Sequence, residues 1–286
     1  MLLELPHGFK RWSTHQAVKA AAPQLGEEWR GQQAFQTQLL QNCKTPVVAG
    51  YCAACRRESA FTFAINEDEI PNWRESLVCP NCGLMNRWRA SVHLSRILEP
   101  LRCEGPVYVT EQTTPMFDWL QANVPDLIGS EFVSPDAEPG QVYEAQSRHI
   151  RHEDATALSM ADASLSMIQT YDVLEHVPDY RAALREFARV LKSGGLLLLT
   201  APFMFEAWDT VVRARVNANG DIEHLLPPVY HGDPMNADGV LCFQEFGWDL
   251  LDELRMAGFA HAEIITCWAP DFGYLGSFQP FVVARR

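Results

Sequence analysis

The fold is decided by residues 171–202, which read YDVLEHVPDYRAALREFARVLKSGGLLLLTAP. An apolar run ends just before this stretch, and a second run, Leu196 to Thr200, closes it. Between the two runs, apolar residues recur at helical spacing after Asp179, a good N-cap, and before Gly194 and Gly195, which favour a helix end. Short runs with almost no polarity suit central strands covered on both faces. The stretch therefore predicts one strand–helix–strand unit of a parallel sheet.

Composition and charge narrow the class of protein. The chain has 286 residues, of which 47% are hydrophobic and 21% charged, as in ordinary soluble proteins with one or two domains. No apolar run is long enough to span a membrane, and Glu4 and Pro6 interrupt an N-terminus that does not resemble a signal peptide. We therefore expect a cytoplasmic protein with no membrane partner. The net charge of −13 argues against a broad nucleic-acid-binding surface.

Four of the eight cysteines form two CxxC pairs, Cys52 with Cys55 and Cys79 with Cys82. Each pair can present two thiolates to one ion, and two pairs complete a tetrahedral site of the kind that Zn²⁺ prefers. Two redox pairs or ordinary core cysteines are the alternatives. We predict a structural Zn²⁺ site held by these four residues.

The residues around the cysteine pairs favour the same interpretation. Phe61, Phe63 and Ile65 alternate along the segment between the pairs, as in a strand of a hairpin. Gly83 follows the second pair, where a tight turn requires a positive φ. The segment is therefore expected to resemble a zinc ribbon.

The same periodic patterns predict further elements. Helices are predicted at Glu28–Gln41, Trp88–Leu101, Met116–Asn123 and Phe246–Ala257, and strands at Val107–Thr110, Leu127–Phe132, Leu165–Ile168, Ala262–Cys267 and Phe278–Ala284. Arg87, Arg89 and Arg96 make the region of the second helix the most basic part of the chain. A solvated helix face is the favoured interpretation of these arginines, and a contact with an anionic substrate is the alternative.

The central stretch also resembles a known family. LEHVPDY at residues 174–180, followed by ALREFARVLKSGGLLLLTAP at 183–202, is similar to the central segment of class I S-adenosylmethionine-dependent methyltransferases of type 11. The resemblance covers the chain from about Gly105 onward. It implies an α/β, Rossmann-like fold with a seven-stranded, mostly parallel sheet, helices on both faces and a closing antiparallel hairpin. The chain would then divide into a helical extension (1–45), a zinc-ribbon-like subdomain (46–95) and a methyltransferase domain (96–286).

The resemblance implies S-adenosylmethionine as cofactor and a first contact after strand Val107–Thr110. Members of the family usually have an acidic residue and a GxGxG loop there. Here the loop has no glycine, and Glu111, Gln112 and Thr113 occupy it. Glu111 is implied to hold the cofactor's ammonium group, with hydroxyl and amide groups of the loop beside it.

The next two strand ends carry the remaining implied cofactor residues. Glu131, followed by Phe132, stands about 20 residues after Glu111, where a carboxylate accepts both ribose hydroxyls. Asp154 is implied to bind the adenine amino group, and the backbone N–H of Ala155 to contact the ring. Tyr171, at the end of the fourth strand, completes the implied set.

Methyl transfer from a sulfonium is an in-line displacement, and a base can take the proton of a hydroxyl or amine acceptor. His176 of the LEH sequence is the nearest candidate, with Glu175 capping or orienting the same turn. His231 and His224 are further candidates. They belong to a polar, proline-stiffened loop at 221–234, which is expected to lie at the carboxyl edge of the sheet.

Three functions follow from these patterns. The first is methylation of a small-molecule or sugar-type acceptor, with a zinc ribbon that serves folding. The second is a non-catalytic binding module with a methyltransferase fold, which the glycine-free loop favours. The third is an RNA or protein methyltransferase that uses the ribbon to recognise a macromolecule, which the acidic charge disfavours.

Overall fold

A computed structural model describes residues 4–64, 71–145, 147–233 and 235–286. The N-terminal elements are β1 (Phe9–Trp12), α1 (His15–Asn42), β2 (Val47–Cys52), β3 (Arg57–Thr62) and α2 (Asn86–Leu98). The central elements are β4 (Val107–Val109), α3 (Pro115–Asn123), β5 (Leu127–Gly129), β6 (Val142–Ala145), β7 (Arg148–Arg151), β8 (Leu165–Tyr171), α4 (Tyr180–Val190) and β9 (Leu191–Thr200). Short strands follow: β10 (Val211–Val212), β11 (Ala214–Val216), β12 (Ile222–His224), β13 (Tyr230–His231), β14 (Val240–Leu241) and β15 (Gln244–Glu245). The last elements are α5 (Leu250–Ala257), β16 (His261–Ala269) and β17 (Tyr274–Arg285).

The chain forms two compact units. One contains Met1–Pro100 and Ile264–Phe281, and the other contains Leu101–Glu263 and Val282–Arg286. The division into 1–45, 46–95 and 96–286 stays a prediction. None of the helices in the described part of the chain combines the length and apolarity needed to cross a membrane.

Within the described residues, the main sheet has seven strands in the order β1-β16-β17-β9-β8-β4-β5. Strands β5, β4, β8 and β9 are parallel neighbours, whereas β17 is antiparallel to β9 and β1 is antiparallel to β16. The α/β, Rossmann-like prediction is therefore confirmed. The seventh strand is the N-terminal β1, which the sequence patterns did not predict. Among the described residues, the segment expected after a third parallel strand pairs with the chain just beyond β5, through a parallel bridge between Glu131 and His152.

The centre of the sheet is covered on both faces, as its sequence predicts. All seven residues of β8 are buried. Residues 195–200 of β9 are buried as well. Asp179 caps α4, since its side chain accepts a hydrogen bond from Ala182 N at 2.9 Å. Gly194 and Gly195 do not end this helix. They lie in an irregular first part of β9, where Gly194 has a φ of 78°.

Several boundaries differ from the predictions for local reasons. Helix α1 begins at His15 because the Thr14 side chain caps it, accepting from Ala17 N at 3.2 Å. Helix α5 begins at Leu250 because Phe246 is engaged in a bridge with Phe203. Strand β5 ends at Gly129, before the predicted Phe132.

Candidate functional site

The four predicted zinc ligands lie together in the first unit. The sulfur atoms of Cys52 and Cys82 are 3.9 Å apart, and those of Cys55 and Cys79 are 3.8 Å apart. A tetrahedral zinc ion with Zn–S bonds of about 2.3 Å places its sulfur ligands about 3.8 Å from one another. The donor set therefore fits Zn²⁺, and all four ligand atoms form one cluster.

Two similar turns bring the cysteine pairs together. Arg56 N donates to Cys52 O at 2.7 Å, and Gly83 N donates to Cys79 O at 2.9 Å. The residue after each pair is left-handed, with φ of 57° at Arg56 and 72° at Gly83. The sequence indicated this conformation at the glycine but not at the arginine. Phe61 lies buried on β3 of the predicted hairpin, Phe63 is buried just after that strand ends at Thr62, and Ile65 lies outside the described residues.

Arg89 corrects the prediction of a solvated basic helix face. Its side chain is fully buried and donates to the carbonyls of Phe272 at 2.6 Å, Gly273 at 3.0 Å and Leu77 at 3.2 Å. The guanidinium also stands 3.7 Å from the centre of the Phe61 ring. The arginine therefore connects three backbone segments inside the unit and does not face solvent or an anionic substrate.

The sulfur cluster has positive charge near it. A hydrogen bond with Cys82 lowers the pKa of Cys52 to about 5, and the charge of Arg89 acts in the same direction. Arg96 donates to the carbonyl of Ala54, inside the first turn, at 3.1 Å. Burial raises the pKa of Cys55 to about 12, and the hydrogen bond with Cys52 raises the pKa of Cys82, so the surroundings favour the thiolate at Cys52 and a bound cation would have to favour it at Cys55 and Cys82.

In the second unit, Glu131 holds the glycine-free loop. Its Oε1 accepts hydrogen bonds from Gln112 N at 2.6 Å, Thr113 N at 2.9 Å and Thr113 Oγ1 at 2.7 Å. Burial raises the pKa of the Glu131 carboxyl against these hydrogen bonds. Glu111, at the end of β4, is also buried, and its Oε2 accepts from Thr114 Oγ1 at 2.5 Å. Carboxylate contacts thus replace glycines in fixing this loop.

The Gln112 side chain extends this network to the next strand. Its Nε2 donates to His149 O at 3.0 Å, and its Oε1 accepts from Arg151 N at 3.0 Å. Glu153 N donates to Glu131 O at 3.1 Å beyond the bridge. The loop after β4, the end of β5 and the segment after β7 are therefore joined at one edge.

The other implied cofactor residues occupy different environments. Asp154 uses Oδ1 to accept from Thr156 N at 2.8 Å and Oγ1 at 2.7 Å, and Ala155 follows it, partly exposed, in the same turn. Phe132 is more than half exposed and lies against the His152 ring. Tyr171 is buried and donates its hydroxyl to Gln169 Oε1 at 2.7 Å.

The donor set at this edge fits the groups of S-adenosylmethionine. Carboxylates of Glu111, Glu131 and Asp154 suit the ammonium group, the ribose hydroxyls and the adenine amino group. Phe132 offers an exposed aromatic face to a ring. The residues would hold the cofactor at the carboxyl ends of the parallel strands.

The structure joins His176 and His231 through Glu175. The Glu175 side chain is fully buried, and its Oε1 lies 3.7 Å from His176 Nε2 and 3.4 Å from His231 Nδ1. The two imidazole rings stand edge to face, with centroids 4.9 Å apart. His224 is exposed on β12 and does not belong to this cluster.

The 3₁₀ turn at Leu174–His176 is positioned by residues 241–244. Phe243 N donates to Glu175 O at 2.8 Å, and His176 Nδ1 lies 2.9 Å from Leu241 O. The buried Gln244 donates through Nε2 to Leu174 O at 2.8 Å and Val177 O at 3.0 Å. His231 lies on β13, which pairs with β14, so the same hairpin brings it to the turn.

The predicted polar loop is therefore more ordered than expected, because β12 and β13 each pair with a neighbouring strand. Pro234 lies outside the described residues. The charge of Asp233, which follows β13, contributes to raising the pKa of Glu131.

Two features of the site were not assigned from the sequence. Asp172 has a φ of 55° directly after β8, and its Oδ1 accepts from Thr200 Oγ1 at 3.2 Å. Such conformations are concentrated at functional sites. Glu175 was expected to cap or orient its turn, yet it forms the centre of the histidine cluster. Only the tertiary fold reveals this role, because His231 is distant in sequence.

Comparison with known families supports the resemblance to methyltransferases. Residues 115–199 match the sequence model of a family described as "Methyltransferase domain". The match confirms the resemblance to class I S-adenosylmethionine-dependent methyltransferases. No curated protein matches the chain significantly.

Solved structures of methyltransferases are similar to the chain at low identity. An S-adenosylmethionine-dependent methyltransferase from Mesorhizobium loti is 16% identical, covering 68% of this chain and 98% of its own, with a TM-score of 0.41. A possible histamine N-methyltransferase from Thermotoga maritima is 21% identical, covering 70% and 92%, with a TM-score of 0.38. A Burkholderia thailandensis 1,6-didemethyltoxoflavin-N1-methyltransferase, solved with S-adenosylhomocysteine, is 15% identical, covering 69% and 76%, with a TM-score of 0.38.

Proposed function

We propose that this chain, whose residues 115–199 match the sequence model of a methyltransferase-domain family, transfers the methyl group of S-adenosylmethionine to a small-molecule or sugar-type acceptor. The observation that carries the proposal is the joining of three strand ends around Glu131. Its carboxylate fixes the loop after β4, and its backbone pairs with the segment that leads to Asp154. The cytoplasmic location expected from the sequence stays a prediction.

The cofactor supplies an electrophilic methyl group on its sulfonium, and the protein binds and orients the reactants. We assign Glu131 to the ribose hydroxyls, Asp154 to the adenine amino group and Glu111 to the ammonium group. Phe132 and Ala155 would contact the adenine ring, while Gln112 and Thr113 keep the loop in place through their hydrogen bonds. Tyr171 is assigned to the wall of this pocket.

The acceptor is assigned to the side of the site that carries His176 and His231, and both are proposed as catalytic residues. Two observations support this assignment. The turn with His176 follows directly after β8, where parallel sheets bind ligands. The hairpin with His231 also carries Asp233, whose charge reaches Glu131. An acceptor held by the histidines would therefore lie beside the cofactor.

Zinc is assigned to folding and not to methyl transfer. The four sulfur atoms of the cysteine cluster close a tetrahedral ion and leave no coordination position for a substrate. We therefore expect a zinc-loaded protein whose chemistry takes place in the second unit.

The proposal is tested with S-adenosylmethionine that carries a labelled methyl group. Extract of the source cells is divided by size, and each fraction is incubated with the protein. Label in the small-molecule fraction, lost with Glu131→Ala and kept with the exposed-site control Glu138→Ala, is the expected result. Label in RNA or protein would transfer the assignment to the macromolecular alternative. Label in neither fraction would contradict the proposal.

A further inference from the structure

The Glu175 carboxylate has an unusual environment for a charged group. Its side chain is fully buried, and neither oxygen accepts a hydrogen bond from the described residues. A buried carboxylate without donors is costly unless a positive charge compensates it. The two groups that face Oε1 are the rings of His176 and His231.

Two distances within this cluster match those between ligands around one ion. Glu175 Oε1 lies 3.7 Å from His176 Nε2 and 3.4 Å from His231 Nδ1, which is too long for ordinary hydrogen bonds. A tetrahedral ion with bonds of about 2.0–2.1 Å to nitrogen and oxygen separates its ligands by about 3.4 Å. One ligand atom from each of the three residues lies within 4.8 Å of the others.

The hydrogen bond of His176 supports the same interpretation. Its Nδ1 lies 2.9 Å from Leu241 O, and a carbonyl only accepts, so Nδ1 carries the proton. In the neutral ring, the lone pair of Nε2 then points to the side of Glu175. A backbone carbonyl that fixes the far nitrogen is the usual outer contact of a metal-binding histidine.

We propose that Glu175, His176 and His231 bind a divalent transition-metal ion at the acceptor side of the site. Two imidazoles and one carboxylate are a donor set that suits Zn²⁺ and its neighbours in the first transition row. The side chains of His176 and His231 are 15% and 34% exposed, so the ion keeps a position open to solvent. Three protein ligands with an open position are the arrangement of a catalytic site, in contrast to the four closed sulfurs.

The ion also defines a class of acceptor, and this step rests on the proposed function. A hydroxyl oxygen of the acceptor would enter the open position. The cation would stabilise negative charge on that oxygen, so its proton would pass to water at the open side of the site; the O–CH3 bond would then form as the S–CH3 bond breaks and S-adenosylhomocysteine leaves. His176 and His231 then act on the acceptor through the ion. The acceptor class is therefore an oxygen nucleophile, with a second oxygen nearby where the compound chelates.

Metal counting tests the site without any need for activity. The full chain is treated with a mild chelator, returned to buffered Zn²⁺ and analysed for metal per chain by mass spectrometry. We expect two ions in the natural protein, one in Glu175→Gln and one in His231→Ala. His224→Ala changes an exposed histidine outside the cluster and keeps two. The His231 side chain is 34% exposed, so its truncation removes little of the buried core.

Substitution with Co²⁺ assigns the two ions. The cysteine site gives a sulfur-to-metal charge-transfer band in every variant, and the second equivalent gives ligand-field absorption without that band, lost in Glu175→Gln and His231→Ala. One ion per chain in the natural protein, or two in all variants, would overturn the proposal and leave a histidine–carboxylate ion pair. Because the count needs no cofactor, its failure is distinct from failure to bind S-adenosylhomocysteine.

Discussion

The two clusters that can hold a metal differ in how the chain assembles them. The cysteine cluster takes its ligands from two short CxxC turns, each of which already fixes two sulfurs. The Glu175 cluster takes two ligands from one turn and the third, His231, from a distant hairpin. The CxxC spacing therefore predicts the cysteine cluster from the sequence, whereas the Glu175 cluster forms only when the hairpin folds against the turn.

The two clusters also differ in the charge around them. Four thiolates and one Zn²⁺ would carry a net charge of about −2, and Arg89 and Arg96 lie where they would offset it. Two neutral imidazoles, one carboxylate and a divalent ion would carry about +1, and the described residues give Glu175 no cationic hydrogen-bond donor. The first site is thus built for stability, and the second is left open on the side of His231 and suited to a ligand.

Removal of a zinc ligand is expected to have the largest effect. Cys79→Ser should lose the zinc and unfold the segment around β2 and β3, because zinc binding supplies about 10 kcal/mol or more to such small sites. Metal analysis and limited proteolysis measure the loss. Cys43→Ser is the control, since this thiol lies outside the cluster. If the Cys79→Ser protein kept its zinc and resisted protease like the natural protein, the stabilising role of the cysteine cluster would be contradicted.

Substitution of the buried Arg89 is expected to have the second-largest effect. Arg89→Met leaves three carbonyls without their donor and is expected to lower the free energy of unfolding by roughly 3 kcal/mol or more. Urea denaturation in the presence of zinc measures the change. Arg87→Met, which removes a partly exposed ion pair with Glu75, should cost less than about 1 kcal/mol. Equal losses in the two variants would contradict the structural role of Arg89.

The second cluster depends on Gln244. Gln244→Leu removes the side-chain donor to the carbonyl of Val177 and one of two donors to that of Leu174, and should cost about 2 kcal/mol of unfolding free energy. It should also weaken the second metal while the cysteine site keeps its ion. The exposed Gln141→Leu serves as the control for both measurements. Unchanged metal binding in Gln244→Leu would show that the cluster forms without this support.

The smallest effects are expected in the two cysteine turns. Gly83→Ala should cost about 1 kcal/mol, because φ is 72° there and an added Cβ meets no atom within 4 Å. Arg56→Gly should stabilise the protein by up to about 1 kcal/mol, since it relieves the same conformation in the first turn. Thermal denaturation of both zinc-loaded variants measures these opposite shifts. Shifts of the same sign would contradict the equivalence of the turns.

The fold was predictable where a short sequence carries its own geometry. The strand–helix–strand unit around α4 was predicted from the apolar runs and the Asp179 cap. The structure contains both strands and the capped helix at nearly the predicted positions. Strand β1 could not be predicted, because FKRW is mixed in polarity and acquires strand structure by pairing with β16. Strand β5 is shorter than predicted since the chain leaves the sheet to bring Glu131 to the loop.

The candidate site divides in the same way. The cysteine ligands were predicted from spacing, and their proximity is confirmed. The family resemblance located Glu111, Glu131 and Asp154 at strand ends, but it did not indicate that Glu131 holds the glycine-free loop. The union of His176 and His231 through Glu175 depends on hydrogen bonds across the fold, which residue spacing does not encode.

Calorimetric titration with S-adenosylhomocysteine tests the central claim most directly. The zinc-loaded natural protein should bind with micromolar affinity, and Glu131→Ala should weaken binding at least tenfold, about 1.4 kcal/mol. Glu131→Gln separates loss of charge from loss of the loop's hydrogen bonds, and Glu138→Ala should bind normally. Absence of heat from folded, zinc-loaded natural protein would contradict the account and favour a non-catalytic module with this fold.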